Sequence, residues 1–105
     1  FNFKFENVTY TDVYANSNGW LSFNSASGSA TTAQWRTNAT TAPATMLPLL
    51  APLWDDLDGL DGPGQASYVT TGTAPNRVFT MEWLDWEWGW QADVPVISFQ
   101  VKLYL

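Results

Sequence analysis

One stretch limits the possible folds more than any other: residues 77–90, RVFTMEWLDWEWGW. It holds four of the chain's seven tryptophans and is the longest run of strand-forming residues. Phe79, Met81 and Trp83 fall on odd positions, whereas Leu84, Trp86, Trp88 and Trp90 fall on even ones. Successive side chains of a strand point to opposite faces, so one phase buries only one of these sets. The change falls between Trp83 and Leu84. A bulge there would shift the phase, or both faces of the strand are covered. Residues 77–83 are expected to be the central core strand, which leaves Trp86, Trp88 and Trp90 as the main functional question.

The rest of the chain supplies partners for such a strand. Phe1, Phe3 and Phe5 alternate with Asn2 and Lys4, as in a half-buried strand. Residues 8–15 hold a second, less regular strand. Asn16-Ser17-Asn18-Gly19 is a hairpin signal, because Asn-Gly tolerates positive φ. Trp20-Leu21-Ser22-Phe23 is the return strand, with Leu21 and Phe23 on one face and Trp20 on the other. Residues 24–45 are rich in Ser, Thr, Ala and Asn, and their only large apolar residue is Trp35. They read as one long surface loop. Residues 46–57, MLPLLAPLWDDL, read as a short buried strand delivered by prolines, and residues 55–64 as an acidic turn. Strands are expected at 66–71 and at 96–105, with 77–83 between them in an antiparallel meander.

No long segment repeats its apolar residues every 3.6 positions. Short alternating runs separated by Gly, Pro and Asn turns specify an all-β fold, an antiparallel β-sandwich of about six to eight short strands with one long Ser/Thr-rich loop. The 105 residues suffice for one domain. No disulfide or thiol chemistry is possible without Cys, and the absence of His removes the commonest general base. At a net charge of −6, with only Lys4, Arg36, Arg77 and Lys102 positive, the chain lacks the basic footprint of a nucleic-acid binder. The longest apolar run, 46–54, is too short and too rich in proline for a membrane helix.

Three phrases in order, VYANSNGWLSF at 13–23, LAPLWDDL at 50–57 and GTAPNRVF at 72–79 running into Glu82-Trp83, resemble the nidogen-like extracellular β-sandwich modules. They are closer still to related modules in large secreted, adhesin-like bacterial proteins, notably of Bacteroidota. The closing ISFQVKLY at 97–104 fits the same pattern. The resemblance implies an extracellular, non-catalytic module of a multidomain surface protein, and it brings no set of functional residues. Such modules usually continue into a further strand after this segment. The chain begins at Phe1 rather than Met and stops at Leu105 inside an apolar alternation. The expectation is therefore one module, 1–105, of a larger or polymerising protein, lacking its final strand.

Several residues are candidates for function. Asp55, Asp56, Asp58 and Asp61 are closely spaced carboxylates in a glycine-containing loop, hard oxygen ligands that suit Ca²⁺. The same residues also shape and solvate turns, and the downstream Glu of an EF-hand loop is missing. Trp86, Trp88 and Trp90 lie along one side of an extended chain. They suit a core, an interface with another module, or stacking on glycans beside Asp85 and Glu87. Asp85 and Glu87 share a strand face, but nothing else resembles a glycosidase site, and the chain is not expected to be an enzyme. Leu103 and Leu105 end the last strand with an unguarded edge, which suits strand addition from another copy or a neighbouring module. Asn7 and Asn38 open N-glycosylation sequons.

Overall fold

The computed structural model describes residues 1–28, 42–59, 63–89, 94 and 97–105. Among these residues the fold is all-β, with nine strands in three antiparallel sheets and two single 3₁₀ turns at Ser25–Gly28 and Ala44–Met46. The first sheet pairs β1 (Phe3–Phe5) with β2 (Val8–Tyr10). Glu6 and Asn7 both take positive φ, 48° and 66°, so the two-residue connection has the twist that suits a tight hairpin. The second sheet orders β3 (Tyr14–Asn16), β4 (Trp20–Ser22) and β5 (Leu49–Leu50). The third is built on β8 (Asn76–Trp88), which pairs with β7 (Gln65–Thr73), β9 (Ile97–Tyr104) and, at its far end, β6 (Leu57–Asp58).

The strands expected at 66–71, 77–83 and 96–105 correspond to β7, β8 and β9, which form the expected meander. β7 runs along β8 from Thr73↔Asn76 to Gln65↔Leu84, and β9 runs along its other side from Val78↔Tyr104 to Trp83↔Phe99. The next β9 pair is Trp86↔Ile97, so three steps on β8 match two on β9. The extra residue is a bulge, and Asp85 takes φ 57° within it. This resolves the phase change: Trp83 and Trp86 both face the core, 0% and 7% exposed.

Two expected strands were drawn too long. Residues 8–15 divide into β2 and β3 around the Thr11–Val13 segment, where the backbone leaves one small sheet for the next. Residues 46–57 are not one strand either. Pro48 and Pro52 lack the N–H a ladder needs, and the chain makes only β5, a turn and β6.

The main core lies between the β8 sheet and the other two. Phe79, Met81, Trp83 and Trp86 of β8 and Leu103 of β9 meet Leu21 and Phe23 and are closed by Leu57. Phe1, Phe3 and Phe5 flank this cluster, and the Phe3 and Tyr10 rings lie 5.3 and 4.9 Å from that of Phe23. Full burial of each such side chain is worth about 1.5–3 kcal/mol, so the aromatic share of the core is large. A second cluster, Trp20, Met46 and Trp54, fills the opposite face of β4. That is why Trp20 through Phe23 are all buried. Ser22 and Asn24 close the neck of the long loop: Ser22 Oγ donates to the Met46 carbonyl at 2.7 Å, and Asn24 Nδ2 to those of Ala44 and Leu47. Trp35, the only large apolar residue of that loop, lies outside the described residues.

Candidate functional site

Two of the sequence phrases are held together in space. The three-residue turn after β3 ends in Gly19, φ 75°, whose N–H donates to the Asn16 carbonyl. A Cβ at Gly19 would lie 2.0 Å from the Leu53 carbonyl oxygen, so only glycine lets the second phrase dock this closely. Asn18, 4% exposed, then serves both segments. Its N–H donates to Asn16 Oδ1, its Oδ1 accepts from Leu57 N–H at 3.3 Å, and its carbonyl accepts from Asp55 N–H at 3.3 Å. Trp83 completes the junction, its Nε1 donating to the Asn16 carbonyl at 3.2 Å while its ring stacks on Phe99 at 4.7 Å. The NSNGW and LWDDL phrases are therefore mutual structural partners. Asn18 was read from sequence only as a turn former, because its long-range bonds depend on a segment about forty residues away.

The acidic run is split by this arrangement. Asp55 is exposed and its Oδ1 accepts from the N–H of Asp56, while Asp56 and Asp58 are half-buried. Among the described residues no group of three carboxylates lies close enough to hold a metal ion. Asp55, Asp56 and Asp58 thus do not form one ligand set, and Asp61 lies outside the described residues. The structure sets apart a carboxylate that the sequence put on one strand face with Asp85. Glu87 is 5% exposed, directly opposite Asp58 in the β6–β8 register, and its Oε2 has no hydrogen-bond partner. Its expected companion Asp85 stays exposed in the bulge, where its N–H donates to Ser98 Oγ at 3.0 Å. The expected shared face of Asp85 and Glu87 is lost because the bulge rotates one away from the other.

The late tryptophans also part company. Trp86 is a core residue, and its Nε1 donates to the Gln65 carbonyl at 2.7 Å. A Cβ on Gly59 would approach its indole to 2.9 Å, so the loop backbone lies flat on the ring. Trp88 is 44% exposed and Trp90 lies outside the described residues. The three-indole surface read from sequence is thus corrected at Trp86, which the bulge turns inward. Leu103, expected at an interaction surface, is buried in the core, and Leu105 packs partly against it, its N–H donating to the Arg77 carbonyl. The cause is the register of β9, which sets Leu103 opposite Phe79 on the inner face. Asn7 sits exposed in the β1–β2 turn, and Asn38 lies outside the described residues.

The barest surface belongs to β7. All nine of its residues are exposed, with Tyr68 at 75% and Val69 at 52%. On its inner side Tyr68 and Thr70 open onto a groove of about 470 Å³ floored by Phe1, Val13, Phe79 and Met81. A second cavity, about 400 Å³, is lined by Trp20 and Ser27, whose Nε1 and Oγ are buried without hydrogen-bond partners. Neither feature was visible in the sequence, since both depend on what fails to pack over a given strand. No helix among the described residues is long and apolar enough to cross a membrane.

Neither a curated protein nor a solved structure matches the chain significantly. The model of a family described as NIDO related matches residues 1–104, nearly the full length. These residues include the docked phrases, the meander and the closing strand, and modules of this kind are typically extracellular. The chain belongs to the nidogen-related family.

Proposed function

We propose that this chain is a non-catalytic extracellular module of a cell-surface protein, and that it works by protein contact, its β7 edge accepting a strand from another copy. One observation carries the reading: QASYVTTGT is exposed at every position and contains no charged residue and no proline. Edge strands are ordinarily guarded by charge, proline, bulges or cover, and β7 has none of these among the described residues. Its Tyr, Val and Thr residues favour further pairing. The adjoining groove gives an added strand an apolar floor for alternate side chains. On this proposal the accepting edge is β7 rather than the strand end at Leu103 and Leu105. Pairing of β7 with β7 would close a dimer, whereas pairing with a different strand of the next copy would propagate a filament.

Sedimentation of the native chain over a wide concentration range tests this. Association that rises with concentration and disappears in a Val69→Lys/Thr71→Lys variant of unchanged circular dichroism supports the reading. A monodisperse monomer at the highest concentration removes it. The non-catalytic part rests on chemistry. There is no His and no Cys, and the carboxylates best spaced for acid–base work, Asp85 and Glu87, differ completely in exposure. The sugar-stacking alternative keeps Trp88 as its exposed indole, and a flat fluorescence titration with a glycan panel dismisses it. Glycosylation at Asn7 follows from its exposed sequon, and an intact mass of 11.7 kDa for the native chain rules it out.

A further inference from the structure

We infer that the strand β7 accepts is the β7 of a second copy, antiparallel about a two-fold axis at Val69, so that the contact closes a dimer. This rests on the reading of β7 as the accepting edge and names its partner. Among the described residues the β7–β8–β9 ladder has two free edges, since β7 and β9 each pair with β8 alone. The two edges differ. On β9, Ile97, Phe99, Val101 and Leu103 pack in or against the core, and Lys102 sets a charge on the strand, a common guard against strand addition. On β7 no residue is buried and none is charged, and Tyr68 and Thr70 open onto the groove. Pairing β7 with β9 of the next copy would bring Lys102 to the junction with no opposite charge on β7 to meet it. Pairing β7 with β7 joins two uncharged strands. That matters because each chain carries a net charge of −6, and copies repel one another wherever their acidic surfaces meet.

The sequence of β7 suits its own reverse. A two-fold axis perpendicular to the sheet keeps the faces of both strands, so directly opposed residues come from the same face. Centred on Val69, the midpoint of Gln65–Thr73, every position of one strand lies opposite a position of the other. Centring on Tyr68 or Thr70 instead leaves strand ends unpaired. On the inner face Tyr68 then meets Thr70 of the other copy, twice, an aromatic side chain against a β-branched one. On the outer face Val69 meets itself, and Ser67 meets Thr71, whose hydroxyls can bond across the pair. Tyr68 is 75% exposed and its ring stacks on Phe79 at 5.8 Å, so a second strand covers a ring already supported from within. The two grooves, each of about 470 Å³, come to lie side by side across the axis.

Single cysteines test the register directly, because the chain has none of its own. Directly opposed residues of an antiparallel pair have Cα atoms about 4.5–5.5 Å apart, within the reach of a disulfide. With oxidised glutathione as oxidant, Val69→Cys should form a disulfide-linked dimer and nothing larger. It should do so about tenfold faster or more than Tyr104→Cys, an equally accessible site on β9, because thiols held together react at a raised effective concentration. Ser67→Cys alone and Thr71→Cys alone should link poorly, whereas a mixture of the two should give the mixed dimer. That mixture keeps the test valid if Val69→Cys disturbs the strand, and circular dichroism checks that each variant is folded. A native chain that associates on sedimentation while neither Val69→Cys nor the mixture links would overturn the two-fold pairing and leave β7 as an accepting edge. Efficient linking of Thr71→Cys with Lys102→Cys, or a ladder of higher species, would likewise replace it with head-to-tail addition. A native chain that stays monomeric at every concentration would remove the underlying reading and this inference together.

Discussion

The junction of residues 16–19 with 53–57 and the strand β7 are opposite extremes of the same molecule. At the junction, backbone and side-chain groups of one segment are claimed by the other, through Asn18, Gly19 and the indole of Trp83. Among the described residues the nine-residue strand β7 pairs with β8 alone, and no side chain of it is buried. The junction spends its specificity inward, on one arrangement of distant segments. β7 has the backbone order of a strand without the burial that usually justifies it. Order without burial is what an edge open to another chain requires, so the contrast separates what holds the fold from the surface proposed to face a partner.

The sharpest way to break the contrast is at Trp83, which belongs to both the core and the junction. Trp83→Ala removes a fully buried indole and its bond to Asn16, and should cost about 3–5 kcal/mol, read from urea unfolding. Gly19→Ala follows. It adds a methyl where only 2.0 Å separates it from a carbonyl oxygen at φ 75°, and should cost about 3 kcal/mol by the same measurement. Asn18→Ala strands the Leu57 N–H and should cost about 1–3 kcal/mol, with faster hydrogen exchange at Leu57. The smallest effect on stability belongs to β7: Val69→Lys should change unfolding by less than about 0.5 kcal/mol, because its side chain is already in water. A stability loss at Val69 as large as at Asn18 would erase the distinction between the regions. Retained association in Val69→Lys/Thr71→Lys would leave it standing but move the contact surface elsewhere.

Much of this architecture was legible in residues. The alternation of Phe79, Met81 and Trp83 identified the central strand, the turn at 72–76 fixed its pairing with β7, and the turn at 16–19 fixed the β3–β4 hairpin. Such local patterns work because strand period and turn dihedrals are properties of a few adjacent residues. The failures are equally physical. Residues 8–15 read as one strand because breaks without Gly or Pro leave no local mark. The Asp55–Asp61 run looked like a ligand set because spacing in sequence says nothing about which carboxylates meet. Glu87 and Trp88 are adjacent and alternate as expected, yet the acid is buried and the indole is half-exposed, the reverse of what their chemistry suggests.

By itself the sequence determined the all-β class, the central meander and the family, because these rest on period, turn chemistry and the order of phrases. It also marked 77–90 as two halves. Only the tertiary structure decided what the halves do. One added residue at Leu84–Asp85 rotates the strand, turns Trp86 into the core and sets Glu87 against Asp58. A bulge is decided by the register with β9, and register depends on both strands at once, so no reading of either alone could have fixed it.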